Sequence, residues 1–186
     1  MMNENLKCFI EKSLESLEYI KKHEPQEFTW NFECSLLDPK YLTLGLAQFK
    51  IYSKELSFIQ DIKGPTVYWF EITSDVNPLE IINAMQNYAK EDNHRIVPVI
   101  GKKDNITSNC LYVGKVKKNF YARVKQHLGY YSTKATQGLQ LCHWARSLSL
   151  NLRLHYIEFE DDMEDMMPVI EQYFAIVLKP LIGKHI

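Results

Sequence analysis

The stretch Cys110–His127, CLYVGKVKKNFYARVKQH, gathers Tyr112, Gly114, four lysines (Lys115, Lys117, Lys118 and Lys125), Arg123 and His127 into a strand–turn–helix pattern. Arg123 and His127 are four positions apart, so on a helix they share one side. The rigid fork of arginine donors grips a phosphate oxygen in a way that lysine cannot duplicate. Gly114 leaves room beside Tyr112 or marks a bulge. The stretch is either an ordinary surface hairpin or one built to hold a phosphate.

Hydrolysing a phosphodiester requires an aligned water, positive charge at the nonbridging oxygens and help for the leaving oxygen. The elements that would position such groups can be read from the pattern. Leu6, Ile10, Leu14, Leu17 and Ile20 recur at three-to-four spacing and predict an amphipathic helix over Asn5–His23. Phe28–Phe58 reads as short strands or irregular packing, with a turn at Asp38-Pro39. TVYWFEI, Thr66–Ile72, is a β-branched and aromatic strand. Asp75 or Asn77 caps a helix reaching Tyr88, and Arg95–Ile100 is a short edge strand or irregular run because of Pro98. Lys102–Asn109 is a polar loop. Asn119 caps a helix over Phe120–Leu128, a second helix covers Leu139–Leu148, and Asn151–Phe159 alternates as a strand. The last helix runs Met167–Leu178.

At 186 residues and 46% apolar content, the chain can build a real core without staples. Cys8, Cys34, Cys110 and Cys142 form no CxxC pair, which argues against a zinc knuckle or disulfide framework and for a reduced, cytoplasmic setting. No cationic leader with an apolar segment is evident, and no apolar run approaches the roughly 18 residues that span a bilayer, so no membrane association is expected. Charge is segregated: Gly101–Tyr156 carries ten lysines and arginines against one acid, and Ile157–Tyr173 carries seven acids and no base. That is the layout of a polyanion-binding face beside an acidic cluster, or of two solvated faces.

Together these landmarks resemble the GIY-YIG endonuclease superfamily. Thr66-Val67-Tyr68 approximates the family's first tripeptide and Tyr112-Val113-Gly114 its second; Lys115, the Arg123-x-x-x-His127 helix and a helix bearing Glu171 follow in family order. The tail of that helix is echoed by Pro180 and Gly183. The resemblance covers Gly64–Lys184. Thr66 stands where the family has glycine, Gly183 where it has asparagine, and the interval from Tyr68 to Tyr112 is longer than the family's. Insertions of that kind are known among the family's restriction enzymes, and the gap points toward that branch.

The resemblance implies an α+β domain at residues 64–186, a small, mainly antiparallel sheet flanked by helices, with a helical insertion at about 73–109 and a helical extension over residues 1–63. It implies a DNA endonuclease, of restriction or defence type, that attacks the phosphodiester directly with an activated water. Its implied catalytic set is Tyr68, Tyr112, Arg123, His127 and Glu171, with Glu171 holding Mg2+ or Mn2+ and no organic cofactor. Magnesium takes most of its ligands from water and phosphate, so one carboxylate suffices. Tyr68 would align or deprotonate the water with Tyr112 on the phosphate, or the two would exchange roles. Lys115, Lys117, Lys118 and Lys125 would contact DNA phosphates, and a homodimer is the economical way to cut two strands with one site per chain.

Each residue taken singly has a plainer reading. Tyr68 and Tyr112 are strand residues of a packing type, Arg123 a surface cation and His127 a half-buried imidazole. Glu171 shares a helix side with Ala175 and Leu178, where an unpaired carboxylate is costly. His143 reads as a packing residue, and His155 has no assigned role. The competing functions are a noncatalytic nucleic-acid-binding module on the same scaffold and a protein-binding role for the segregated charge.

Overall fold

The computed structural model describes residues 3–44, 52–100, 107–131 and 137–183. The polar loop expected over Lys102–Asn109 falls largely outside them, as do Lys134 and Lys184. In chain order the elements are α1 (Glu4–Lys22), β1 (Glu27–Glu33), α2 (Tyr41–Leu44), α3 (Ser53–Asp61), β2 (Thr66–Ile72), α4 (Pro78–Tyr88), β3 (Cys110–Val116), α5 (Phe120–Leu128), α6 (Leu141–Trp144), β4 (Asn151–Glu158) and α7 (Met167–Leu178). The strands form one antiparallel sheet in the order β1-β4-β2-β3. This is an α+β fold with a small sheet, as expected.

β2 lies between two partners, which is why TVYWFEI is apolar nearly throughout rather than alternating. Successive strand residues point to opposite faces. Tyr68 and Phe70 therefore join Leu152, Leu154, Trp30 and Phe32 in the larger core, under the helices. Trp69, Val113 and Cys110 turn the other way and pack against Ala175, with Phe174 and Leu178 of α7 alongside.

Residues 27–33 enter the same sheet: Trp30 pairs with Leu154 and Phe32 with Leu152, and both aromatics are buried. The region expected to be strands or irregular packing through Phe58 also contains α3. Its Leu56 and Ile59, three positions apart, turn together into the larger core. α4 follows the sequence reading: Asn77 Oδ1 accepts from the Leu79 N–H at 2.9 Å, with Pro78 in the first turn. The helix expected over Leu139–Leu148 is one turn, α6, and then a 3-10 turn over Arg146–Leu148. It is bounded by left-handed Gln140 (φ 59) and Ser149 (φ 50). Arg95–Ile100 has no strand, only a single bridge from Ile100 to Ile182. The four cysteines are free, and no helix of the described residues is long and apolar enough to cross a membrane.

Candidate functional site

The β2–β3 register sets Tyr68 opposite Gly114 and Phe70 opposite Tyr112, so both tyrosines occupy one face. Their ring centroids are 6.3 Å apart. A Cβ at Gly114 would lie 2.6 Å from Tyr68 Oη and 2.7 Å from Tyr112 Cε1. The missing side chain at position 114 is thus what lets the two phenols converge.

α5 supplies the groups that meet them. Asn119 holds a left-handed φ of 61° and its Oδ1 accepts from the Ala122 N–H at 3.1 Å, while Gly129 ends the helix at φ 97°. Phe120, Val124 and Leu128 bury one stripe of α5 and carry His127 inward with them. Arg123, one turn earlier, reaches the same place. Its Nε donates to Tyr68 Oη at 2.9 Å and its Nη2 to Tyr112 Oη at 3.2 Å. Its Nη1 donates to Gln126 Oε1 at 2.9 Å and to the Gln137 carbonyl at 2.8 Å.

His127 is fully buried, and burial, helped by the Arg123 charge, holds its pKa well below the ordinary histidine value. It is therefore neutral, with one protonated nitrogen. Nδ1 accepts from the Leu139 N–H at 3.2 Å, so the proton belongs on Nε2, which donates to Tyr68 Oη at 2.9 Å. The Tyr68 hydroxyl thus accepts two donors, and its own proton is left for a third group. Burial raises the Tyr68 pKa far above the usual phenol value, Tyr112 adds to this, and Arg123 pulls against it. Burial also works against the Arg123 charge, but the two phenol oxygens outweigh it and the guanidinium stays protonated.

Glu171 comes from α7 on the other layer. Its Oε2 lies 3.5 Å from Lys115 Nζ, both side chains being partly covered, and its charge adds to the upward pressure on the Tyr68 pKa. Tyr68, Tyr112, Arg123 and His127 are thus joined in one hydrogen-bonded cluster, while Glu171 lies on the α7 side of the sheet, paired with Lys115 and within reach of Tyr68 only through its charge. Gln126, Gln137 and Leu139, which fix the arginine and the histidine tautomer, were not picked out from the sequence. Two of the three contribute backbone atoms, which leave no mark on residue type.

The segregated charge runs meet. Lys115 pairs with Glu171, and Lys117 lies 2.9 Å from Glu164 and 4.0 Å from Asp165. Lys118 helps to lower the Glu164 pKa, behind the larger effect of Lys117, and Lys125 sits over the Tyr121 ring at 5.5 Å. Two of the four lysines expected at phosphate are thus held by carboxylates. Among the described residues no group of three or more His, Cys, Asp or Glu side chains could hold a metal. Glu171 is a single carboxylate, enough only for a mostly hydrated ion such as magnesium, and the Lys115 ammonium that it faces would have to give way to such an ion.

His155, unassigned from the sequence, lies on the opposite face of the sheet. Its Nδ1 is 2.6 Å from Glu27 Oε1 and its Nε2 is 3.0 Å from Glu71 Oε2, with Trp69 stacked on the ring at 4.7 Å. Arg153 Nη1 donates to the same Glu71 oxygen at 3.2 Å and its Nε to Asn31 Oδ1 at 2.9 Å, tying β1, β4 and β2 together. His143 packs flat on Tyr88, with ring centroids 5.5 Å apart, in keeping with a packing role.

No family model, curated protein or solved structure matches the chain.

Proposed function

We propose that this chain is a metal-dependent DNA endonuclease on a GIY-YIG type scaffold, hydrolysing a phosphodiester by direct attack of water. The observation that carries the reading is the pair of donors on Tyr68 Oη, from Arg123 Nε and His127 Nε2, each at 2.9 Å. Two donors aimed at one phenol oxygen favour its deprotonated form, against the burial that raises its pKa, so the charges of the metal and Lys115 would have to add to them. Tyr112 Oη receives only one of the Arg123 donors, which favours Tyr68 as the base and Tyr112 as its partner at the phosphate.

Arg123 would hold the phosphate between the two phenols, exchanging its contacts to Gln126 and Gln137 for phosphate oxygens. Lys115, paired with Glu171 on the α7 side of the sheet, would contribute charge to the same phosphate. Glu171 would hold a Mg2+ or Mn2+ ion, which supplies positive charge at the nonbridging oxygens. His127, neutral and fixed by Leu139, holds the Tyr68 oxygen in place without taking the proton itself.

A noncatalytic nucleic-acid-binding role is the second reading. It is favoured by the complete burial of Tyr68 and by the internal partners of Arg123, which a substrate must displace. Incubation of supercoiled plasmid with the protein and magnesium separates the two. Nicking by the wild type, lost in both Arg123→Ala and Glu171→Ala with an unchanged circular dichroism spectrum, supports the nuclease. Nicking that persists in both variants rejects the site, and salt-dependent binding without any nicking supports the second reading.

A further inference from the structure

The sheet has two edges, β1 and β3, and the fold treats them differently. β3 is covered: the Leu181 N–H donates to the Cys110 carbonyl at 2.9 Å and the Ile182 N–H to the Leu111 carbonyl at 3.0 Å. β1 is open. The Cys34 N–H donates to the Leu150 carbonyl, just before β4, at 2.9 Å. Bonding sides alternate along an antiparallel strand, so Phe32, Trp30 and Phe28 bond to β4 while Glu33, Asn31 and Thr29 face outward. Tyr52 closes the outward side at Glu33, its Oη accepting from the Glu33 N–H at 3.0 Å and donating to the Glu33 carbonyl at 3.3 Å. The outward N–H and C=O groups of Thr29 and Asn31 have no partner among the described residues, and both residues are exposed. Such a row is a template for another strand. A groove of about 450 Å³ runs beside it, between β1 and α3, walled by Phe28 and Trp30 from the strand and by Phe58 and Ile62 from the helix. Phe28 and Phe58 are 38 and 59% exposed. The charged residues of its lining are Glu55 and Asp61, and neither is in an ion pair among the described residues.

We propose that the β1 edge and the α3 groove together bind an extended, basic segment of a partner protein, which joins the sheet as an antiparallel fifth strand. Main-chain bonds to Thr29 and Asn31 hold the segment. Its alternate side chains fall on the α3 face, where an apolar residue seats between Phe28 and Phe58 and lysines or arginines on either side of it meet Glu55 and Asp61. Charge selects this occupant over a second copy of the chain. The strand that a second copy would lay along the groove is the same EFTWNFE, which has an acid at each end and no base. In any register it brings no cation to Glu55 or Asp61, whereas a basic strand brings one to each. Antiparallel pairing is the orientation whose bonds run straight across between strands, and it continues the pattern of this sheet. The site lies two strands away from Tyr68 and stands independently of the nuclease reading.

The probe is the blocked heptapeptide acetyl-TKTFTKT-amide, whose lysines and phenylalanine share one face of a strand. Labelled with a fluorophore and titrated with the full chain, it binds with a Kd of about 10–100 µM by anisotropy, and acetyl-TETFTET-amide binds at least about tenfold more weakly. The double variant Glu55→Lys, Asp61→Lys reverses that preference with the circular dichroism spectrum unchanged. Amide exchange followed by NMR locates the strand. The Thr29 and Asn31 amides exchange quickly in the free chain and slow at least about tenfold with the lysine peptide, while those of Phe28 and Trp30 are slow in both. In an antiparallel pair the peptide residues bonded to Thr29 and Asn31 are its threonines, so N-methylation of the two threonines beside the phenylalanine abolishes binding and N-methylation of the phenylalanine leaves it. Binding that survives both methylations overturns the proposal, as does a lysine peptide that fails to bind at about 1 mM. So does protection of Thr29 and Asn31 that develops without peptide as the chain is concentrated, since the edge would then pair with a second copy.

Discussion

His127 stands behind Tyr68 as a fixed donor: its Nδ1 is occupied by the Leu139 N–H, so its Nε2 donates to Tyr68 Oη at 2.9 Å. Tyr68→Phe keeps the ring and removes the oxygen, leaving the His127 and Arg123 donors without an acceptor in a buried place. The expected loss of stability is about 2 kcal/mol or more by urea denaturation, far above that of an exposed tyrosine. His127→Ala, which leaves Tyr68 with the Arg123 donor alone, is expected to destabilise by at least as much through the cavity as well. Urea midpoints equal to the wild type in both variants would contradict the network.

The same burial makes stability depend on pH. The folded-state pKa of His127 lies well below its unfolded value of 6.5, and burial lowers that of half-buried His143 too, so the unfolded chain binds more protons as the pH falls. Their contribution is fully present above about pH 6.5 and is lost as the pH falls below it, at up to ~1.4 kcal/mol per pH unit for His127 and by less for His143, whose partial exposure lets solvent screen the effect. Urea titrations at pH 7.5, 6 and 5 should show this decline, and His127→Gln should flatten it. A stability that rises on acidification through this window would mean that His127 is charged in the fold.

Much of the fold could be read locally and some of it could not. α7 and β2 were found with their ends, because an apolar stripe before Pro180 and a β-branched run after Gly64-Pro65 are local signals. The pairing of β1 with β4 joins Trp30 to Leu154 over more than a hundred residues, and no local pattern announces it. α3 was missed because Tyr52 offers no side-chain cap and only Leu56 and Ile59 mark its buried side. The candidate site was legible as residue types whose meeting depended on register. Tyr68 and Gly114 face each other only because β2 and β3 pair without a shift until Phe70. The partners of the lysines were hidden for the same reason, since Lys117 and Glu164 meet only when α7's approach lies beside the end of β3.

Gly114→Ala tests whether the convergence of the phenols matters. The added Cβ would sit 2.6 Å from Tyr68 Oη, and the ring has no free space to retreat into because Tyr68 is fully buried. A loss of about 1–3 kcal/mol is expected from such overpacking. In a nuclease, nicking should fall much further than the remaining folded fraction, because Tyr68 leaves its two donors. A Gly114→Ala protein as stable and as active as the wild type would show that the Tyr68 position is not constrained by this contact.

Glu171→Gln separates the electrostatic role of this residue from a role in holding metal. The substitution keeps the shape of the side chain and removes the charge that Lys115 faces at 3.5 Å, so Lys115 becomes free to bind a phosphate. DNA affinity measured by fluorescence anisotropy in low salt without magnesium should therefore stay the same or rise, and its dependence on salt should steepen by up to about one released counterion. Nicking with magnesium should be lost, since the amide is a poorer ligand for the ion. If affinity and nicking fall together in parallel, Glu171 acts by holding the fold around Lys115, and the metal assignment is wrong. If nicking survives at the wild-type rate, no step of the reaction depends on the Glu171 charge.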